Sequence, residues 1–124
     1  MSKKKSILVI DDDDALCNAL TSKFTAKGYN VVTCKNGVDA VEHLSSEKFD
    51  VVLTDLHMPE GDGFDVLVKL KESMNADIPA YVITNLGSDQ FCDKAMHLGA
   101  KKCFVKSLVT LRDVVAIVDQ EVSS

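Results

Sequence analysis

A run of four aspartates and one isolated aspartate stand directly after short apolar segments of the sequence. The run is Asp11–Asp14, and the isolated residue is Asp55. If both segments are strands of one sheet, these carboxylates meet at the same edge and repel one another. The usual remedy is a hard cation such as Mg²⁺, bound through carboxylates, waters and phosphate oxygens. We therefore predict a metal site of Asp11, Asp12 and Asp55, whereas the last two aspartates of the run are expected to cap the following helix.

Two further residues at the ends of apolar segments suit phosphoryl chemistry. These are Thr84 and Lys106. A carboxylate held against Mg²⁺ can attack phosphorus, while the metal and a fixed ammonium neutralise the charge that develops on the transferring oxygens. This chemistry makes Asp55 the nucleophile and Lys106 the counter-charge, and Thr84 would donate its hydroxyl to a phosphoryl oxygen. Taken singly, each residue has a simpler interpretation. Thr84 could be a residue at a strand end whose hydroxyl satisfies a backbone carbonyl, and Lys106 could be a solvated surface charge.

Five short aliphatic segments alternate with stretches whose apolar residues recur at helical spacing. The predicted strands are Ile7–Ile10, Val31–Thr33, Val51–Leu53, Tyr81–Ile83 and Phe104–Val105. Nearly continuous apolar strands separated by one-sided helices indicate a parallel sheet covered on both faces, because each crossover is right-handed. We therefore predict a doubly wound α/β fold of five strands and five helices, with its chemistry at the carboxyl ends of the strands.

Local residue types predict where several helices begin and end. Asp62 and Ser88 are expected near the starts of the third and fourth helices, and Thr110 opens the fifth in a capping-box pattern. Gly28 and Gly99 follow the apolar stripes of the first and fourth helices and predict their ends.

Length and charge restrict the class of protein. The chain has 124 residues, of which 46% are hydrophobic and 27% charged, and this fits a single domain over residues 1–124. A formal charge of −5 argues against direct binding of nucleic acid, which draws its affinity from Lys and Arg. The first apolar run is too short for a signal peptide or a membrane span, so we expect a cytoplasmic protein without membrane contact.

The sequence contains four cysteines, Cys17, Cys34, Cys92 and Cys103. None forms a CxxC pair, and most stand among apolar neighbours, so we predict reduced thiols that pack as small hydrophobic residues. A structural zinc site would need closely paired ligands, and the three histidines lie far apart without such spacing.

Four separated segments together resemble a response-regulator receiver domain over nearly the whole chain. They are Ile-Leu-Val-Ile-Asp-Asp at 7–12, Asp-Leu-His-Met-Pro-Glu-Gly-Asp-Gly at 55–63, Ile-Thr at 83–84 and Val-Lys at 105–106. The resemblance implies a flavodoxin-like (βα)5 fold with strand order 2-1-3-4-5. It also implies a single receiver domain with no output domain in this chain, as expected of either a single-domain regulator or the receiver portion of a longer hybrid kinase or regulator.

The resemblance implies a role for each matching residue. Asp11 and Asp12 match the acidic pair, Asp55 the phosphoryl acceptor, Thr84 the switch hydroxyl, Lys106 the family's lysine, and His57 the residue whose main-chain carbonyl binds the metal. For His57 this interpretation is preferred over a metal-binding imidazole. The implied cofactor is Mg²⁺, for which Mn²⁺ or Ca²⁺ could substitute.

The implied function is phospho-acceptance in a two-component or phosphorelay system. A phosphohistidine on a sensor histidine kinase or a histidine phosphotransfer protein would donate to Asp55. The domain would catalyse only its own phosphorylation and slow hydrolysis, and would not be an enzyme in the ordinary sense. The face formed by the fourth helix, fifth strand and fifth helix would then bind a downstream effector protein or output domain.

Three residues depart from the family pattern. Cys103 stands where Tyr or Phe is usual, and a thiol cannot sweep the volume of a rotating ring. Ser107 replaces a proline that follows a cis bond in the family, and a cis bond before Ser costs about 3–4 kcal/mol, against roughly 0.5–1 kcal/mol before Pro. Asn85 stands where a smaller residue is common, and we expect it to alter the phosphoryl lifetime.

Two other classes of function stay open. The first is a degenerate receiver that binds partners without phosphorylation, suggested by Cys103 and Ser107. The second is an enzyme on a similar scaffold, either a Mg²⁺-dependent phosphatase or a flavin carrier. The sequence has no cap domain for the phosphatase, and no phosphate-binding loop rich in Gly, Ser and Thr follows the first strand for the flavin carrier.

Overall fold

The computed structural model describes residues 4–85 and 89–123 as alternating strands and helices. The elements are β1 Ser6–Ile10, α1 Asp14–Ala26, β2 Asn30–Cys34, α2 Gly37–Ser46, β3 Val51–Thr54, α3 Gly63–Lys71, β4 Ala80–Thr84, α4 Asp89–His97, β5 Lys102–Val105 and α5 Leu111–Ser123. Each predicted strand is present and is one to two residues longer than its aliphatic run. None of the described helices is long and apolar enough to cross a membrane.

The five strands form one parallel sheet in the order β2-β1-β3-β4-β5. β1 lies between β2 and β3, with Ile10 opposite both Cys34 and Thr54. β4 lies between β3 and β5, with Thr84 opposite Val105. The predicted fold class and strand order are confirmed, and all five strands end at the same edge.

Strand side chains alternate between two separate apolar clusters, one on each face of the sheet. Ile7 and Val9 of β1 pack on one face with α1 and α5, while Leu8 and Ile10 pack on the other with α2, α3 and α4. The central strands β1, β3 and β4 are therefore almost entirely apolar, apart from one Ser or Thr at an end of each, since both of their faces are covered.

Side-chain oxygens cap the starts of four of the described helices. Asp13, Asn36, Asp62 and Thr110 each accept a hydrogen bond from the backbone N–H three residues further along, at 3.2, 2.8, 2.9 and 3.1 Å. These contacts satisfy N–H groups that have no partner within the helix. The predicted cap at Ser88 lies outside the described residues.

Glycines end two helices as predicted. Gly28 follows α1 with φ of 93°, and Gly99 follows α4 with φ of 110°. Both lie in the left-handed region that favours glycine, so the chain can turn away from the helix there at little steric cost.

The prediction of four reduced thiols is wrong for two of them. Cys92 of α4 and Cys103 of β5 form a disulfide, with their Cα atoms 5.6 Å apart. The sequence contains no signal for this pair, because the two residues meet only through the packing of α4 beside β5. Cys17 and Cys34 are free and buried as predicted.

The Lys106–Ser107 peptide bond is trans, as are the other peptide bonds between described residues. The chain therefore does not adopt the cis bond that the family has at this position and that would be costly before Ser107. Ser107 instead continues the chain after β5 in an ordinary turn, with the Leu108 N–H donating to the Val105 carbonyl at 2.9 Å.

A buried asparagine that sequence analysis did not single out joins two loops at the opposite edge of the sheet. The Asn75 side chain is 2% exposed overall and accepts a hydrogen bond from the Phe49 N–H at 2.8 Å. Its amide donates to the carbonyls of Leu44 at 2.9 Å and Glu47 at 2.7 Å. One side chain therefore holds the connection between α2 and β3 against the loop after α3.

We expect Asn75→Ala to lower the free energy of unfolding by about 1–3 kcal/mol, because it leaves buried backbone groups without partners. Urea denaturation would measure the change. Asn18→Ala is the matched control, since Asn18 is exposed on α1 and its loss should change stability by less than about 0.5 kcal/mol. Equal stabilities of the two variants would contradict this role of Asn75.

Candidate functional site

The fold brings the predicted site residues to one edge of the sheet. Asp11 directly follows β1, Asp55 follows β3, Thr84 ends β4 and Lys106 follows β5. Because the sheet is parallel, these four positions meet at its carboxyl edge, where α/β folds bind ligands.

The Lys106 ammonium lies between two carboxylates. Its Nζ is 2.9 Å from Asp11 Oδ2 and 3.3 Å from Asp55 Oδ2. The Lys106 side chain is 15% exposed, so water screens these ion pairs less than it would at the surface. Burial would lower the pKa of Lys106, but its contacts with the two carboxylates outweigh burial and raise the pKa. The ammonium form is therefore held at the site.

Backbone groups hold the Asp55 carboxylate in one orientation. Asp55 Oδ1 accepts a hydrogen bond from the Leu56 N–H at 2.7 Å and a longer one from the His57 N–H at 3.4 Å. The Gly63 N–H in turn donates to the Leu56 carbonyl at 3.0 Å. A Cβ on Gly63 would overlap the Asp55 carbonyl oxygen. The absence of a side chain there allows α3 to begin directly against the loop that carries Asp55.

The two oxygens of Asp11 differ in their partners. Its Oδ1 accepts a hydrogen bond from the Asp13 N–H at 2.9 Å. Its buried Oδ2 is contacted among the described residues by the Lys106 ammonium at 2.9 Å, in a geometry poorly aligned for a hydrogen bond. Burial raises the pKa of Asp11, the charge of Asp55 adds to this rise, and Lys106 opposes it. A positive charge placed here would relieve both the burial of the charge and the repulsion.

A group of acidic oxygens fits a divalent cation. One carboxylate oxygen each of Asp11, Asp12 and Asp55 lies within 4.8 Å of the others. Such a set of hard oxygen donors suits Mg²⁺, which binds through a few carboxylates and completes its shell with water or phosphate oxygens. The buried Oδ2 of Asp11 supports this fit. The imidazole of His57 is not part of this group among the described residues, and its main-chain role stays a prediction.

An open cleft of about 260 Å³ gives access to Asp55. It is lined by Asp12, Asp13, Asp55, His57, Thr84, Asn85 and Lys106. Thr84 is fully buried beneath this cleft, and its carbonyl accepts the Lys106 N–H at 2.8 Å. Asn85 is exposed at the rim. Each predicted site residue other than Asp11 therefore lines the cleft, and Asp11 lies behind it in contact with Lys106.

Sequence reasoning missed the backbone part of the site. The N–H of Leu56 orients Asp55, and no side-chain pattern could reveal it, because every residue except proline carries that group. Asp13 was assigned to capping α1, which is correct, but the residue also lines the cleft.

Comparison with known proteins gives a family and a set of relatives. Residues 7–119 match the family model for the response regulator receiver domain. The transcriptional regulatory protein ZraR of Escherichia coli K12 is 35% identical over 102 residues, which cover 82% of this chain and 23% of that protein. The chain thus spans about a quarter of the length of this relative.

Solved structures share the fold. A receiver domain protein from Methanospirillum hungatei superposes with a TM-score of 0.89 at 21% identity, covering 98% of this chain and 95% of that one. A response regulator protein from Burkholderia pseudomallei, with a phosphorylated aspartic acid, a calcium ion and citrate, gives a TM-score of 0.84 at 25% identity. That match covers 97% of this chain and 69% of the other.

We expect Asp12→Asn to remove most of the stabilisation that Mg²⁺ confers. A ligand that binds only the folded state stabilises it by about 2.7 kcal/mol at one hundred times its Kd. Urea denaturation with and without Mg²⁺ would measure this difference for the wild type and the variant.

Asp14→Asn is the matched control for this test. It removes the same charge from the same run, but Asp14 is exposed, pairs with Lys35 at 2.6 Å and lies outside the group of three carboxylates. Stabilisation by Mg²⁺ that survives Asp12→Asn unchanged would show that the cation binds elsewhere.

Proposed function

Since this chain belongs to the response regulator receiver domain family, we propose that it accepts a phosphoryl group on Asp55 from a phosphohistidine and switches a partner-binding face in response. The observation that carries the proposal is the Lys106 ammonium, which lies 3.3 Å from Asp55 Oδ2 beside an open cleft. Phosphoryl transfer needs mainly positioning and charge stabilisation, and this arrangement supplies both.

In the proposed step, an Asp55 carboxylate oxygen attacks the phosphorus of the donor. A bond forms between that oxygen and phosphorus, and the bond between phosphorus and the donor's imidazole nitrogen breaks. The imidazole leaves with the electron pair and takes up a proton. Because the Leu56 N–H holds Asp55 Oδ1 at 2.7 Å, the carboxylate enters the reaction with its orientation already set. As negative charge develops on the transferred group, the Lys106 ammonium exchanges its contact with the Asp55 carboxylate for a contact with the phosphoryl oxygens.

Asp11, Asp12 and Asp55 are the side chains that would hold the divalent cation, with the main-chain carbonyl of His57 as a further ligand. When bound, Mg²⁺ supplies positive charge against the transferring oxygens. The calcium ion in the Burkholderia pseudomallei protein supports the binding of a divalent cation here. Substitution of Mg²⁺ by Ca²⁺ or Mn²⁺ stays a prediction. The phosphorylated aspartic acid in the same protein supports acceptance by an aspartate.

The partners follow from the proposed chemistry. Upstream, the donor is a sensor histidine kinase or a histidine phosphotransfer protein. Downstream, an effector protein or an output domain binds the face formed by α4, β5 and α5. Thr84 precedes α4 in the chain, and Lys106 directly follows β5. Movement of either residue toward the phosphoryl group would therefore displace an element of this face. The domain catalyses only its own phosphorylation and slow hydrolysis.

The placement of Lys106 favours this function over a degenerate receiver. The degenerate receiver was suggested in part by Ser107, which stands where the family has a proline preceded by a cis peptide bond. That bond is trans, and Lys106 still reaches both Asp11 and Asp55. The replacement of the proline therefore leaves the charge arrangement of the site complete.

We expect wild-type protein incubated with an acyl phosphate and Mg²⁺ to gain one phosphoryl group, and Asp55→Asn to gain none. Intact mass spectrometry, with and without Mg²⁺, would detect the adduct. Asp65→Asn is the matched control, because Asp65 is an exposed aspartate in the first turn of α3. A folded wild-type protein that binds Mg²⁺ but gains no adduct would favour the degenerate receiver instead.

We also expect beryllofluoride, which mimics a phosphoryl group, to shift the backbone amide resonances of α4 and β5 when Mg²⁺ is present. The physical reason is that added negative charge near Asp55 attracts Thr84 and Lys106, at the ends of β4 and β5. Amide spectra of the wild type and of Asp55→Asn would show the difference. Unchanged α4 and β5 resonances in a protein that does take up a phosphoryl group, measured with the Cys92–Cys103 disulfide reduced, would refute the switch while leaving acceptance intact.

A further inference from the structure

The disulfide between Cys92 and Cys103 joins the two elements that the proposed switch must move. Cys92 lies in α4 and Cys103 in β5, eleven residues apart in the chain. The covalent loop that they close lies between Thr84 and Lys106, the two site residues that would respond to the phosphoryl group. Cys103 is opposite Val82 on β4 and three residues before Lys106, so the tie acts close to the site.

α4 has few other anchors. Of its described side chains, Ala95 is the one that is fully buried, whereas Phe91 is 38% and Met96 44% exposed. By contrast, α3 buries Val66, Leu67 and Leu70. Elements with few buried apolar contacts open more readily than the core.

Two aromatic contacts join α4 to α3 at the surface. The Phe91 ring stacks on Phe64 with centroids 6.4 Å apart, and Lys94 Nζ lies 4.2 Å from the centroid of the same Phe64 ring. Both contacts involve side chains at the surface, and neither reaches β5. The disulfide is a covalent link between α4 and β5, in addition to the packing of Ala95 beneath the sheet.

The four cysteines divide into two classes by accessibility. Cys92 and Cys103 are each only partly buried, so a thiol or disulfide in solution can reach them. Cys17 and Cys34 are buried, and burial raises the pKa of their thiols to about 11 and about 12. Since the thiolate is the reactive form, the buried pair should stay inert under conditions in which the other pair exchanges.

We propose that Cys92 and Cys103 form a redox-sensitive latch: as a disulfide they fix α4 on β5 and limit the displacement that follows phosphorylation of Asp55, and as two thiols they release α4. The inference rests on the proposed function for its signalling consequence, although the latch itself does not require phosphorylation. In a reducing compartment, such as the one expected from the sequence, disulfides are usually transient and often serve as redox sensors.

The oxidant of the latch is a small disulfide of the glutathione type. The thiolate of one cysteine attacks this disulfide, giving a mixed disulfide and one small thiol. The second protein thiolate then attacks the protein sulfur of the mixed disulfide, which closes the Cys92–Cys103 bond and releases the second small thiol. Two electrons pass to the small disulfide, and the two protons end on the released thiols. A dithiol drives the reverse reaction.

The first experiment measures the redox state itself. The protein of residues 1–124 is equilibrated in buffers of glutathione and its disulfide, denatured and alkylated, and its intact mass is measured. The reduced protein should take up four alkyl groups and the oxidised protein two, since the sequence contains four cysteines. Cys34→Ala is the matched control, which removes a free buried thiol and should keep the pair. Failure to form an intramolecular disulfide in any of these buffers would overturn the proposal.

The second experiment measures the tie between α4 and β5. Amide hydrogen exchange of α4 is compared in the oxidised wild type, the wild type reduced with a dithiol, and Cys92→Ser. We expect α4 amides to exchange about tenfold faster or more without the disulfide, while amides of β1 and β3 stay unchanged. The reduced wild type keeps the test valid if Cys92→Ser folds poorly. Equal exchange of α4 in the oxidised and reduced wild type would overturn the latch.

The third experiment links the latch to phosphorylation. Acyl phosphate and Mg²⁺ are added to both redox forms, and the Asp55 adduct and the exchange of α4 are measured together. We expect the adduct in both forms and a further rise of α4 exchange in the reduced form alone. The same rise in both forms would refute the latch. Absence of the adduct in both forms would refute the proposed function instead, and the second experiment would still decide the latch.

Discussion

The mutual repulsion of carboxylates at the carboxyl edge of the sheet is the constraint on which the site depends. Burial raises the pKa of Asp11, and the nearby charge of Asp55 raises it further. One ammonium, that of Lys106, lies against both carboxylates, and their charge in turn keeps it protonated despite its own burial. One cation cannot neutralise three carboxylates, so the site retains negative charge. That excess explains why these residues suit a divalent cation together with a phosphoryl group.

The strand order determines how this balance is reached. β1 and β3 are neighbours, so Asp11 and Asp55 are adjacent without any long side chain. β4 separates β3 from β5, and adjacent strands lie about 4.8 Å apart, so a counter-charge on β5 has to cross a strand to reach Asp55. Lys106 has the flexible stem that this requires, and it passes the end of β4, where Thr84 is buried. The same route makes the position of β5 sensitive to charge at Asp55, and the disulfide to α4 acts on that strand.

Much of the fold could be predicted, and the failures have identifiable causes. Aliphatic runs predicted the strands, and polar residues predicted where the helices start. Both signals depend on residues that are close together in the sequence. The strand order came from the resemblance of four segments to a known family, since periodicity alone does not order strands. Asn75 was missed because an asparagine in a loop is normally at the surface, and its burial depends on partners 26 to 31 residues away. The pairing of Cys92 with Cys103 was missed because the two residues meet only where α4 packs beside β5, which local spacing does not reveal.

The order of amino acids was enough to reveal the alternation of strands and helices, the acidic and basic residues available for chemistry, and the edge at which they would gather. Folding in three dimensions decided the rest. It determined which Asp55 oxygen the backbone holds and that Lys106 contacts both Asp11 and Asp55 while the Lys106–Ser107 bond is trans. It also brought α4 and β5 together so that a disulfide joins them. The physical reason is range. Helix and strand signals act between residues a few positions apart, whereas these contacts depend on how distant segments pack.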